Sequence, residues 1–403
     1  MHKNVPNLRH LRAFREVAIN KNISLSAEKI FISQSAITQA INKLEQHFGT
    51  SLFNRSPSGM FLTERGEILF RRVDRCLNLL QQGVKDAIRS GNGKAGTNPL
   101  NIISTSQLRA LIALEGNHSF SMAARSINIS QPSLHRSARE LEDHLSITLF
   151  EKTNIGISLT KAALILSRSA KLAFSELRQG FEEVNESLGI ESSYIAIGSM
   201  PLARTYILPM ALNQLTVSRP QMSINVIDGP YEDLLQHLRQ GDIDFLIGAL
   251  RGNFPSKEII EETLFETSLS IVARAGHPLA GQSELTLEQL AQYPWVVPRK
   301  GTPARSRFEA MFEQAGIHIP MGLIECSSQI LIRQLLQASD RLTFLSKHQI
   351  TLEEKQGILA TLAYKPDHSS RPIGLTYRTD WHPTSAQKEL MNYLRDLSRN
   401  IEE

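Results

Sequence analysis

Ser33, Gln34 and Ser35, followed by Thr38 and Gln39, place short hydrogen-bonding side chains on the opening turns of a predicted helix. Such side chains at a helix start suit the reading of base edges in a DNA major groove, where amides and guanidiniums bond bases and small groups permit close approach. Ser130, Gln131, Pro132, His135 and Arg136 form a second set further along the chain. In this chemistry Gln34 or Gln131 pairs bidentately with an adenine edge, Arg136 with guanine, and the Thr38 methyl packs on thymine. Arg9, Arg12, Arg55 and Lys152 are expected at phosphates, where they add affinity and register without choosing sequence.

The stretch that must position the first set runs from Ser24 to Phe53 and reads as a helix, a tight turn and a second helix. Ala27, Ile30, Ile32, Ile37, Ile41, Leu44 and Phe48 recur at three- and four-residue steps as one apolar stripe. An apolar stripe alone is ordinary helix packing. Here it occurs twice, because a shift of 97 positions lays Leu11-Arg12-Ala13 on Leu108-Arg109-Ala110 and Ser33-Gln34 on Ser130-Gln131 without a gap. The same shift matches Leu44-Glu45 to Leu141-Glu142, Leu52-Phe53 to Leu149-Phe150 and Leu62-Thr63 to Leu159-Thr160. A register held over that length indicates duplication of a whole folded unit.

In chain order, Asn7 to Asn20 reads as a first helix with Leu8, Leu11, Phe14 and Val17 inward; Lys21-Asn22 breaks it and Ser24 is expected to cap the next. Gly49 suits a helix C-terminus, and Ser56-Pro57-Ser58-Gly59 is the turn of a two-stranded wing. A long helix follows from Glu64 to Ser90, with an apolar face too large for one small winged domain to cover. Residues 91–99, GNGKAGTNP, read as a flexible linker. The second unit repeats the order, with a helix from Thr105, a reading helix from Ser130, a wing around Asn154-Ile155-Gly156 and a long helix from Lys161 to Leu188.

After Gly189 the pattern changes to short apolar strands, at 194–198, 223–227, 245–249, 269–273 and 295–298, alternating with helices such as 231–239 and 304–314. That implies α/β architecture with a largely parallel sheet. Strand ends run into helix starts at Gly198-Ser199-Met200-Pro201, Gly229-Pro230-Tyr231, Gly301-Thr302-Pro303 and Ser327-Ser328-Gln329, where small anionic or polar ligands bind open α/β sheets.

The chain has 403 residues, enough for several domains with cores of their own, and its two cysteines, Cys76 and Cys326, fit neither a metal spacing nor a disulfide framework. With a polar, basic start and no apolar run of membrane-spanning length, a cytoplasmic location and no membrane contact are expected. The net charge of +4 is segregated. Residues 1–96 hold 15 Lys and Arg against 7 Asp and Glu, residues 97–189 hold 9 against 9, and the remainder 20 against 24. A basic block at one end suits phosphate contact.

With these residues in view, the chain resembles the LysR-type transcriptional regulators over nearly its whole length, through Ser-Gln-Xaa-Ala/Ser-Ile/Leu, Leu-Glu, Leu-Phe and Leu-Thr in a winged helix-turn-helix. GSMPLARTYILP, ARAGHPLA, YPWVVPRKGTP and ASDRLTFLS look most like the branch of regulators of a galactose-binding protein. The resemblance implies a multidomain fold: two all-α winged helix-turn-helix units with long linker helices, then a two-lobed α/β effector domain like a periplasmic binding protein. The expected divisions are 1–63, 64–90, 91–104, 105–160 and 161–189, then one lobe of 190–270 with 354–403 and another of 271–353. It carries the reading positions onto Gln34, Ser35, Thr38 and Gln39, and onto Gln131, Pro132, His135 and Arg136. It places an effector between the lobes, at Ser199, Met200, Pro230, Arg251, Thr302 and Ser328.

The implied function is sequence-specific transcription regulation on double-stranded DNA, controlled by a small organic acid or sugar-related metabolite, by a homodimer or homotetramer that needs no metal or cofactor. No nucleophile elbow, phosphate-binding glycine loop or His-rich spacing points to an enzyme. The family has one reading unit where this chain has two. Its long helices either pair within one chain or pair between chains, with the first unit hanging from the linker. The competing reading is a ligand sensor in which one or both helix-turn-helix copies serve only protein contacts.

Overall fold

A computed structural model describes residues 5–93, 99–117, 119–154, 156–252, 258–367 and 369–401. The chain divides into one unit of residues 1–194 with 221–223 and 239–242, and a second unit comprising the rest. The first unit runs α1 (Leu8–Asn20), α2 (Ile23–Ile30), α3 (Gln34–Phe48), β1 (Phe53–Ser56), β2 (Gly59–Leu62) and α4 (Glu64–Ser90). It repeats that order as α5 (Thr105–Glu115), α6 (Phe120–Ser126), α7 (Gln131–Leu145), β3 (Phe150–Thr153), β4 (Gly156–Leu159) and α8 (Lys161–Ser187). Of the expected linker, residues 94–98 lie outside the described residues, as does Ile155 of the second wing.

These helices start where a side-chain oxygen can accept from a backbone N–H that has no partner inside the helix. Asn7, Ser33, Thr63, Ser119, Ser130 and Thr160 do this, and Ser104 does it in a reciprocal box with Gln107. For α2 the cap is Asn22, whose Oδ1 accepts from the Leu25 N–H at 3.0 Å, and not Ser24 as the sequence suggested. Lys21 ends α1 in the left-handed region at φ 55 and Asn22 is already extended, so Ser24 falls inside the first turn.

Leu8, Leu11, Phe14 and Val17 are fully buried and meet Ile37, Ile41, Leu44 and Phe48 of α3 in a core shared by both copies. Ile32 departs from the expected stripe at 39% exposure, because the left-handed Phe31 between α2 and α3 turns it outward. The long helices α4 and α8 pair with each other within the chain. Arg65 bonds Ser187, Arg72 bonds Gln179 and Arg75 bonds Glu176, so the two run antiparallel. Val73, Cys76, Leu80 and Val84 face Leu166, Ala170, Ala173 and Leu177 as the apolar part of that seam.

The second unit contains strands β5 (Tyr194–Ser199), β6 (Ser223–Asp228), β7 (Phe245–Ala249), β8 (Ile259–Arg274), β9 (Trp295–Val297), β10 (Ile324–Glu325), β11 (Leu342–Ser346), β12 (Leu359–Thr361) and β13 (Ser370–Arg378). Its helices are α9 (Ile207–Ser218), α10 (Tyr231–Gln240), α11 (Leu287–Ala291), α12 (Pro303–Gln314), α13 (Gln329–Gln337), α14 (Thr351–Lys355) and α15 (Ser385–Ser398). Among the described residues the strands form one sheet in the order β10-β9-β11-β8-β13-β7-β5-β6, with β12 also on β8. The sheet is mixed and not largely parallel as expected. β9 is parallel to β10 and β11, and β5 to β7, but β8 and β13 run antiparallel to each other and to their neighbours. One carries the chain out and the other carries it back, so their pairing must be antiparallel. The segment 269–273, expected as a short strand, is the end of the 16-residue β8. β12, which follows Glu354, pairs with Val272–Arg274, and pairing with β7 begins at Ile373.

Candidate DNA-reading faces and effector cavity

Ser33 caps α3 through the Ala36 N–H at 3.2 Å, which sets Gln34 and Ser35 at the first helical positions. Gln34, Ser35 and Gln39 are exposed, and the Thr38 hydroxyl donates to the Gln34 carbonyl at 3.0 Å, so its methyl is left to face outward. Ser130 caps α7 in the same way through Ser133, with Pro132 pre-set for the helix start. Gln131, Pro132, His135 and Arg136 are exposed, and the His135 ring lies 4.8 Å from that of Phe120. Each sequence-expected reading residue therefore sits on the outer face of its helix.

What fixes that face is legible in the remaining repeat residues. The Glu45 carboxylate accepts from the Leu52 and Phe53 N–H groups at 2.8 and 3.3 Å, and Glu142 from Leu149 and Phe150 at 2.7 and 3.0 Å. The end of each reading helix is thus tied to the entrance of its wing by charge-assisted bonds. Thr63 and Thr160 cap α4 and α8 while their hydroxyls donate to the Ser51 and Thr148 carbonyls at 2.9 and 3.0 Å. Gly66 is required at this junction, since a Cβ there would collide with the Leu52 carbonyl.

Among the expected phosphate ligands, Arg9, Arg55 and Lys152 are exposed. Arg55 is held by the Asn42 side chain at 2.9 Å, which keeps it beside α3. Arg12 departs from the phosphate role its sequence suggests. Its guanidinium bonds the carbonyls of Leu100, Asn101 and Ile103, and burial, reinforced by Arg9, pushes its pKa down to about 10. It clamps the connecting segment and does not face outward.

In the second unit a cavity of about 120 Å³ is lined by Met200, Arg251, Thr302, Cys326, Gln349 and Arg371, among others. Met200, Arg251 and Thr302 were expected there. Gly248 makes room for Met200, whose side chain a Cβ on β7 would strike. Thr302 caps α12 through Arg305 at 3.2 Å. Ser328 caps α13 and lines a larger neighbouring cleft of about 1020 Å³. Ser199 is fully buried with its hydroxyl 3.5 Å from the Met200 carbonyl, and the exposed Pro230 lines neither space.

Arg371, on β13, was not anticipated, because nothing local marks one arginine of a strand as facing a cavity. Burial lowers its pKa to about 10, and Arg307 and Arg251 push in the same direction. Arg251 lies over the Tyr231 ring at 4.5 Å; burial lowers its pKa while Tyr231, Glu232 and Glu261 oppose the shift. Neither guanidinium has a carboxylate within ion-pair distance among the described residues, and the Nε of each is buried without a partner. Paired cations in a small, otherwise largely apolar space suit an oxyanion. Among the described residues no helix is long and apolar enough to cross a membrane.

Residues 8–67 and 105–164 match the bacterial regulatory helix-turn-helix protein family of the lysR type, and residues 190–399 match the LysR substrate binding domain. The chain is 33% identical over 393 residues to the HTH-type transcriptional regulator GalR of Pseudomonas putida, covering 98% of each, so that the alignment includes both helix-turn-helix segments. It is 26% identical over 274 residues to the HTH-type transcriptional regulator GbpR of Azospirillum brasilense, covering 68% of this chain and 80% of that one. CbnR, a LysR family transcriptional regulator solved full-length with its target DNA, shares the fold at a TM-score of 0.52 and 16% identity, over 72% of this chain and 98% of its own.

Proposed function

The chain belongs to the LysR family of bacterial transcriptional regulators, DNA-binding proteins with an effector-binding domain, and from that premise we propose that both of its helix-turn-helix copies read sequence under control of an anionic metabolite. The observation that carries the reading is the outward placement of polar first turns on α3 and α7, each locked to its wing by a buried or half-buried glutamate. Gln34 or Gln131 takes an adenine edge, Arg136 a guanine and the Thr38 methyl a thymine, with Ser33, Ser35, Ser130, Pro132, Gln39 and His135 shaping the contact. Arg55 and Lys152, at equivalent places on the two wings, take phosphates.

The effector is a small organic acid or sugar-related acid held by Arg251 and Arg371, with Met200 as an apolar wall and Thr302 at a helix start. Ser328 and the wider cleft extend the site for a longer ligand. Residues 1–63 and 105–160 act as readers, 64–90 and 161–189 as linker helices, and the chain from 190 onward as sensor. The assembly is a homodimer or homotetramer acting in the cytoplasm. Since a ligand shifts an equilibrium only by its differential affinity, an effector that leaves the sensor's geometry unchanged leaves transcription unchanged.

The testing experiment is a footprint on DNA flanking the protein's own coding region, repeated with Gln34→Ala/Gln39→Ala and with Gln131→Ala/Arg136→Ala. Each pair is expected to erase a different part of the protected tract. A second reading, in which the second copy only packs, is favoured by its balance of 9 cationic against 9 acidic residues over 97–189; it predicts that the second pair changes nothing.

A further inference from the structure

We infer that a single chain carries a complete pair of readers that recognises two unlike half-sites in one fixed order, and that the α4–α8 seam specifies this unlike pairing. The inference rests on the reading of both copies as DNA-binding. Its first support is an approximate two-fold relation inside the first unit. A Cβ at Gly83 would strike Ser169, and a Cβ at Gly180 would strike Arg72. The 97-residue shift interconverts these two contacts. The Leu8 N–H donates to the Thr105 hydroxyl at 3.2 Å, and these residues are themselves 97 apart, so equivalent points of the two copies meet near the axis.

The second support is that the polar part of the seam breaks this symmetry. Arg72 of α4 donates to Glu176 at 2.9 Å, to Gln179 at 2.8 Å and to Glu183 at 2.9 Å, and Arg75 reaches Glu176 at 3.1 Å. The Arg72 and Glu176 side chains are almost wholly buried. Shifted by 97, Arg72 becomes Ser169, Arg75 becomes Leu172, Glu176 becomes Leu79 and Glu183 becomes Asp86. If two α8 helices paired in this geometry, the buried Glu176 and the half-buried Glu183 would face Ser169 and Leu172 in place of Arg72 and Arg75. If two α4 helices paired, Arg72 would keep one shorter carboxylate and face Leu79. The first like pairing leaves a buried carboxylate without a cation and the second costs Arg72 one of its two carboxylates, both unfavourable for buried charge, so the seam favours α4 with α8.

The third support is that the connection between the copies is docked at both ends. Gly91 and Gly93 pack against Ile147 of the second copy, and Arg12 of the first copy clamps the carbonyls of residues 100, 101 and 103. Leu100 and Ile103 are buried in the shared core. A short docked connection makes the α4–α8 encounter intramolecular, with the high effective concentration that entails. Because the pair is covalently one chain and its two reading faces differ at three of five matched positions (Ser35 against Pro132, Thr38 against His135, Gln39 against Arg136), the preferred DNA is not a perfect palindrome.

The test selects duplexes from a random pool with the full chain, then with Gln34→Ala/Gln39→Ala and with Gln131→Ala/Arg136→Ala, all exposed positions. The expected motif has two different halves in fixed order, roughly ten base pairs or a multiple apart. Each variant should lose roughly ten- to hundredfold preference in one half and keep the other. A motif with identical halves, or one variant degrading both, would overturn the inference. No enrichment at all would remove the DNA-binding reading, and the inference with it. Independently of DNA, a short bismaleimide on Arg65→Cys/Ser187→Cys in a Cys326→Ser background should yield a cross-linked product of one-chain mass. A two-chain product would overturn pairing within the chain while leaving DNA reading intact.

Discussion

Glu45 and Glu142 have the same task in the two copies, and their surroundings predict unequal costs on removal. Each accepts from two backbone N–H groups at the start of its wing, but the Glu142 side chain is 9% exposed against 19% for Glu45. Either change to Ala strands two donors, at about 1–3 kcal/mol for each buried group left unpaired. Urea titration should therefore show Glu142→Ala as the more destabilised protein. Phe31 gives the opposite sign: it holds φ 56 and is 91% exposed, a conformation that favours Asn or Gly. Phe31→Asn should gain about 1 kcal/mol by relieving that backbone. At this scale the exposure of the polar positions on α3 and α7 and the Gly49 end of α3 were legible, because both follow from near neighbours in sequence. The Asn22 cap is not legible in the sequence because Asn22 and Ser24 can both accept, and only the Lys21 turn decides. Arg371 was invisible because its surroundings come from β7, α12 and α13, far away in the chain.

Among the elements, the two long helices were readable from their apolar stripes and their pairing was not, since a stripe shows that a partner exists without naming it. Arg72 names it. Removing this cation takes one of two arginines from Glu176, which is 8% exposed and keeps Arg75 at 3.1 Å, and takes the Arg72 bonds from Glu183. Arg72→Ala should cost about 3 kcal/mol, the lower end for breaking a buried pair because Arg75 still reaches Glu176, whereas replacing Arg72, Glu176 and Glu183 together with apolar residues of similar volume should be neutral or stabilising. Thermal denaturation of the two variants separates a seam held by its apolar face from one held by its charges. The triple variant should also lose the bias against like pairing and form two-chain cross-links. The strand β13 escaped notice for a related reason: Pro372 near its start reads as a strand breaker. The structure accommodates it between β7 and β8, with a register shift at Gly374, where a Cβ would collide with the Glu262 carbonyl.

For the molecule as a whole, regulation requires that effector binding be coupled to the sensor's own stability, and the two cavity arginines make that coupling measurable. Arg251 and Arg371 are desolvated and the second is disfavoured by the first, so without an anion they oppose folding of the α/β unit. Arg371→Gln removes that repulsion and should raise the melting temperature of the ligand-free α/β unit. An anionic effector stabilises the wild type through both guanidiniums, by about 2.7 kcal/mol at a hundred times its dissociation constant. The same substitution should reduce that ligand-dependent increment, so the two melting curves converge or cross as effector is added. A screen by differential scanning calorimetry, setting small carboxylic and sugar acids against the corresponding neutral sugars, distinguishes the alternatives. If neutral sugars stabilise wild type and Arg371→Gln equally, the arginines serve the fold and the effector is recognised elsewhere, in the wider cleft around Ser328. If acids alone stabilise, and only with Arg371 present, the paired cations are the sensor's contact with its ligand.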